Sequence, residues 1–186
     1  MSRIGKKPVA IPEKVKVTIE GDVIKIEGPK GKAQHPVSLY FDYKIDASHV
    51  TVSVKKGAPT VKNLNALFGM ERATINNKVL GVSAGYTKVL ILKGVGYRAN
   101  LAGKVMNFTL GYSHPLDYKI PDAITAVVDN QTKITLTGTD KHLVGQTAAE
   151  IKQLKLPEPY QGKGIMYENE RIRRKAGKSA AGAKAK

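Results

Sequence analysis

The chain is 186 residues long, 41% apolar, and carries 31 Lys and Arg against 15 Asp and Glu, a formal charge of +16. Apolar content of that order supports the core of one large or two small domains, and the absence of cysteine excludes disulfides, thiolate nucleophiles and Cys-type zinc sites. A sequence pI near 9.9, with excess positive charge on every quarter of the chain, points to a large anionic surface as partner, not to a pocket for one acidic substrate.

The opening MSRIGKKPVAIP lacks the apolar core of a secretory leader. No apolar run approaches the roughly 20 residues that span a bilayer. Both observations, with the missing cysteines, lead us to expect a cytoplasmic location and no membrane contact.

Val15, Val17 and Ile19 alternate on one strand face, and Val23, Ile24 and Ile26 begin a second strand. Gly21-Asp22 between them suits a two-residue hairpin turn. The GPKGK segment (28–32) is expected to end the second strand and to show backbone and cations to solvent. Further strands are predicted at about 37–41 and 50–55, then a helix over about 61–79. Leu64, Leu67, Phe68, Ile75 and Val79 stripe that helix, and Gly81 reads as its C-terminal stop. The second half repeats this order. Strands are predicted at about 86–92, 97–101, 105–110, 116–120, 124–128 and 133–137. A helix then runs over about 141–154, with Asp140 as N-cap and Leu143, Val144, Thr147, Ile151 and Leu154 on one face.

A local echo supports duplication. His35-Pro36 and His114-Pro115 lie about 80 residues apart, a period too long for a solenoid repeat. Each is followed by a Tyr-Lys-Ile triplet (43–45 and 118–120), a short apolar strand and a helix. The expected fold class is therefore α+β. It comprises two tandem, similar domains, each a mainly antiparallel sheet with one packed helix, over residues 1–81 and 82–156, with a basic tail over 157–186.

Catalytic patterns are missing. His35, His49, His114 and His142 sit in no metal-ligand spacing, and His35 and His114 each precede a proline, where a turn is the ordinary reading. Ser113-His114 are adjacent, which is not a nucleophile–base geometry. The reading is a protein that is not an enzyme, with no metal, cofactor or small-molecule substrate. GPKGK lacks the spacing of a phosphate loop, and Gly94-Val95-Gly96-Tyr97 lacks the third glycine of a dinucleotide loop. Both read as tight turns. Such turns still allow close approach of RNA phosphates, with Lys30, Lys32, Lys93 and Arg98 supplying charge. Tyr97 has two readings, stacking on an exposed base or packing on its own sheet, and packing is the stronger; Arg98 is assigned to phosphate.

The last 32 residues hold nine Lys or Arg against three acids. Pro157, Pro159, Gly162 and Gly164 are poor material for an element interior. Tyr160, Lys163, Arg171, Arg173, Arg174, Lys175 and Lys178 follow neither helical nor strand spacing. Such a segment is expected to be ordered by a polyanion and not by its own core.

Five segments, SRIGKKPVAIP (2–12), GPKG (28–31), GVGYRA (94–99), GYSHP (111–115) and PEPYQGKGI (157–165), occur in the order found in the bacterial large-subunit ribosomal protein L-six family. The chain resembles that family along essentially its whole length, and PEPYQGKGI followed by basic residues is the most specific part. The resemblance implies two similar α+β domains that bind large-subunit rRNA, mainly through the second domain and tail. It implies a position among neighbouring ribosomal proteins near the sarcin–ricin loop, beside the landing site of translational GTPases. Carried over by position, the implied rRNA contacts are Gly94, Gly96, Tyr97 and Arg98 with Lys93 beside them, then Tyr112, Ser113 and His114. The tail adds Pro157, Tyr160, Gly162, Lys163, Gly164, Arg171, Arg173, Arg174 and Lys175. Gln161 departs from the cation usual at its position, and the Ala-rich end KSAAGAKAK has no counterpart in the pattern. The alternative function is a nonribosomal RNA-binding regulator. An RNA-processing enzyme would need an acid cluster that is not seen, and a membrane-surface tail would need an amphipathic anchor.

Overall fold

A computed structural model describes residues 2–46, 48–56, 61–175 and 177. The Ala-rich end and Lys178 lie outside the described residues. The chain divides into two units, the first Met1–Tyr86 with Thr139–Lys141, the second Thr87–Gly138 with His142–Lys186.

In the first unit, alternating apolar residues build two three-stranded sheets. Strands β2 (Lys16–Glu20), β3 (Val23–Gly28) and β4 (Gly31–Pro36) form an antiparallel meander. Strand β1 (Val9–Ala10) pairs with β6 (His49–Val54), which also pairs with β5 (Phe41–Ile45), both antiparallel. The helix α1 (Leu64–Ser83) closes a core that includes Ile24, Ile26, Val50, Phe68, Ile75 and Val79. Each such apolar side chain contributes about 1.5–3 kcal/mol on full burial.

The GPKG segment ends β3 as expected: Gly28 pairs with Gly31 across Pro29-Lys30, a tight turn from which β4 continues. Two expectations are corrected. The strand expected near 37–41 is absent, because the chain between β4 and β5 is a connection from Val37 to Tyr40. Strand β4 escapes notice because its buried inward residue is His35, not an aliphatic one. Gly81 does not stop the first helix. It is buried inside α1, where the Thr139 carbonyl occupies the space a Cβ would need.

The second unit contains an antiparallel meander of β8 (Arg98–Ala102), β9 (Val105–Thr109) and β10 (Leu116–Lys119). A four-stranded sheet has the order β11 (Ile124–Asp129), β12 (Lys133–Gly138), β7 (Tyr86–Lys93) and β13 (Gly164–Tyr167). Helix α2 (Lys141–Gln153) buries Val144, Thr147 and Ile151 of the face its spacing predicts, together with Ala148, while Leu143 and Leu154 are half-buried and Leu154 lies past the helix end. Strand β13 corrects the reading of the C-terminal stretch as lacking any element. Gly164–Tyr167 pairs antiparallel with β7, and Ile165 is fully buried. Two flanking glycines and prolines hide a four-residue strand that needs only one core residue. Among the described residues, no helix is long and apolar enough to cross a membrane.

Candidate nucleic-acid interface

The last residue of β7, Lys93, lies opposite Gly164 in the β7–β13 register. The chain then turns through Gly94–Tyr97, where the Tyr97 N–H donates to the Gly94 carbonyl at 3.3 Å. The half-buried Tyr97 ring covers Gly94 so closely that a Cβ there would sit 2.7 Å from Cδ2. Glycine at 94 is thus a packing requirement. Val95 is 92% exposed at the tip of the turn, and Lys93, Gly96 and Arg98 are exposed around it.

The second turn, Gly111–Pro115, follows β9. A Cβ on Gly111 would lie 3.4 Å from Tyr97 Cε1, which places this turn against the first. Tyr112 donates its hydroxyl to the Leu154 carbonyl at 3.0 Å, and the Lys155 ammonium sits 4.1 Å above the Tyr112 ring. Such a cation over an aromatic face is worth about 0.5–1 kcal/mol at exposed sites. Ser113 and His114 are exposed, with Ser113 Oγ 3.3 Å from His114 Nδ1.

The third segment is a closed loop leading into β13. The Glu158 N–H donates to the Lys163 carbonyl at 2.9 Å, the Gly162 N–H to Glu158 at 3.1 Å, and the Ile165 N–H to Lys155 at 2.8 Å. Pro159, Tyr160 and Gln161 form its exposed apex. Gly164 has φ 149, and a Cβ there would fall 2.6 Å from the Pro157 Cα, so only glycine passes. The chain end then runs back along the loop. The Lys175 N–H donates to the Pro159 carbonyl at 2.8 Å, and the Arg174 guanidinium lies beside Gly162, whose Cβ would be 3.3 Å from its Nε.

These ties gather the sequence-predicted residues at one end of the second unit. Lys93, Gly94, Gly96, Tyr97 and Arg98 supply the first turn, and Tyr112, Ser113 and His114 the second. Pro157, Tyr160, Gly162, Lys163 and Gly164 form the loop, and Arg174 and Lys175 return to it, whereas Arg171 and Arg173 are exposed on the chain between β13 and that return. Lys155 was missed by the sequence reading; its one signal was its place in a Lys-rich stretch before Pro157. Nearby acids are largely neutralised. Glu168 pairs with Lys133 at 3.0 Å, and Glu170 with Lys152 at 2.6 Å. The Lys152 hydrogen bond holds the Glu170 carboxyl below its usual range. Glu158 is the acid within the loop itself. By contrast, Lys30 and Lys32 lie in the first unit, and Lys32 faces Glu27 at 2.7 Å. Among the described residues, no group of three or more His, Cys, Asp or Glu is placed to hold a metal ion.

The arrangement is a cationic rim around close-packed glycine turns and exposed aromatic edges, suited to phosphates and to stacking. The sequence model of the family described as Ribosomal protein L6 matches residues 93–168, which span all three turns. Curated relatives extend the match. A protein of Anaeromyxobacter dehalogenans (strain 2CP-1 / ATCC BAA-258), named large ribosomal subunit protein uL6, is 48% identical over 97% of this chain and 99% of its own. The protein of that name from Desulfatibacillum aliphaticivorans is 47% identical over 97% of this chain and all of its own. That of Shewanella sediminis (strain HAW-EB3) is 48% identical over 96% and 99%. Identity at this level, sustained from end to end, means that the chain belongs to the ribosomal protein L6 family.

Proposed function

We propose that the chain is a structural component of the large ribosomal subunit, acting in the cytoplasm, and that it binds rRNA through the cationic end of its second unit. The observation that carries this reading is the convergence of three turns and the returning Arg171–Lys175 run on one surface. The name shared by the relatives supports the assignment to the large subunit. Its role is positional and it performs no chemistry. Phosphate neutralisation supplies most of the affinity, and each contact on a duplex adds about 0.9 to the slope of log affinity against log salt. Recognition is mainly of shape, because an A-form helix hides its base edges in a deep major groove. Following the family resemblance, the RNA lies near the sarcin–ricin loop, so pinning it limits flexing beside the site where translational GTPases land.

The same proposal includes descent of the two halves from one duplicated module, with the C-terminal segment added to the second. The strand orders β1-β6-β5 and β7-β12-β11 support it, as does a three-stranded meander in each half, β2-β3-β4 and β8-β9-β10. In this view β13 is an addition that carries the basic residues onto the second sheet.

Crosslinking of the assembled large subunit tests the reading. RNA adducts are expected at Tyr97, Tyr160 and Lys163. Sedimentation of the chain in the soluble fraction at moderate salt, without RNA adducts, would overturn it in favour of a nonribosomal regulator.

A further inference from the structure

The segment at the start of the chain, Ser2–Lys7, takes no part in the interface described above, yet it is held in a defined shape. The Lys6 N–H donates to the Ser2 carbonyl at 3.3 Å and the Lys7 N–H to Ile4 at 3.2 Å, so the segment forms a turn. The Gly5 N–H donates to Ser2 Oγ at 3.3 Å. Gly5 is buried flat against the Phe68 ring, which fills the space a Cβ would take. Arg72 of α1 locks the exit, donating from Nε to the Lys7 carbonyl at 3.0 Å and from Nη2 to Pro8 at 3.2 Å.

This elbow carries Arg3, Lys6 and Lys7, all exposed, and the segment 61–74 that packs beneath it adds Lys62 and Arg72. The two segments contain a single acid, Glu71. Its carboxylate is turned inward onto His35 and Tyr43 and is 6% exposed. None of Arg3, Lys6, Lys7 and Lys62 forms an ion pair with a described residue. Elsewhere on the first unit Lys25 and Lys32 each face a carboxylate, Glu20 and Glu27. The elbow is therefore a rigid cationic patch whose neutralising partner is not supplied by its own unit.

We infer that the Arg3–Lys6–Lys7 elbow is a second RNA-binding surface, which takes the phosphate backbone of a further rRNA segment. The inference rests on the rRNA reading of the second unit and extends it to the first. Fixed cations lose less conformational freedom on binding than a disordered basic end. The packed glycine and the Arg72 clamp supply that preorganisation.

The cysteine-free sequence allows a direct test. Full-length protein with Lys6→Cys, carrying an iron chelate that cleaves nearby RNA, is assembled into large subunits beside an Arg173→Cys probe and the cysteine-free parent. Discrete rRNA cuts from position 6, at sites distinct from those made from position 173, are expected. Cuts from 173 with only background from 6 would overturn the elbow proposal while leaving the second-unit reading intact, the outcome for a surface that docks protein. Background from both would overturn the two together. In parallel, Arg3→Gln/Lys6→Gln/Lys7→Gln should lower the salt slope of rRNA binding by about 2, at roughly 0.7–0.9 per contact. The charge-matched Lys25→Gln/Lys32→Gln/Lys104→Gln, which removes cations already facing carboxylates, should change it little. Equal slopes for the two triples contradict the inference.

Discussion

Glu71 shows how a single residue binds three elements of the first unit together. Its Oε1 lies 2.6 Å from His35 Nε2 on β4 and accepts from the Tyr43 hydroxyl on β5. Lys78 Nζ approaches His35 Nδ1 at 3.3 Å and donates to the Gln34 carbonyl. Burial opposes ionisation of Glu71, but the hydrogen bonds from His35 and Tyr43 outweigh it and hold the carboxyl below its ordinary value. Burial, reinforced by Glu71, raises the Tyr43 phenol. Because the folded value of Glu71 is depressed, its stabilisation is complete above the unfolded carboxyl pKa of about 4.3 and is lost as pH falls through the folded value. The melting temperature of the wild type should therefore drop more steeply than that of Glu71→Gln between about pH 5 and pH 3. At neutral pH, Glu71→Ala should cost about 3 kcal/mol in urea unfolding, since it strands buried polar partners. None of this was legible in the chain. His35 and His114 share a following proline, yet one is buried on β4 and the other exposed. The difference is a carboxylate 36 residues away in sequence.

At the scale of elements, strong aliphatic alternation was readable and short or polar strands were not. Strands β2, β3, β9 and β12 and the buried face of α2 follow from spacing alone. Strand β4 hid behind its histidine, and β13 behind two glycines. The second omission matters for the proposed interface, because β13 fixes the chain that leads to the basic residues to the sheet edge. Ile165 is fully buried, and Ile165→Ala should cost about 2–4 kcal/mol by denaturant titration. Removal of residues from 171 onward should leave the melting temperature nearly unchanged. Removal from 164 onward should lower it by several degrees, because the edge of β7 and its core neighbours are then uncovered. Equal melting temperatures for the two truncations would show that β13 contributes no stability. Gly164→Ala belongs with the longer truncation, since its Cβ would meet the Pro157 backbone.

For the molecule as a whole, charge and motif order told what kind of partner to expect, whereas geometry supports the proposal of where it binds. The +16 charge is spread along the chain, so composition alone could not separate the proposed binding end of the second unit from the rest. That separation needed the Lys93–Gly164 register, the Tyr97 ring against Gly111 and the Tyr112–Leu154 hydrogen bond, each joining residues well separated in sequence. The proposed role of this end is to bind rRNA by neutralising phosphates. It is tested most directly by titrating large-subunit rRNA with the full-length protein across a potassium chloride series. The comparison is Arg171→Gln/Arg173→Gln/Arg174→Gln/Lys175→Gln. Weaker binding by the variant is expected, with a log–log salt slope smaller by about 3, at roughly 0.7–0.9 per lost contact. An unchanged affinity and an unchanged slope would contradict it.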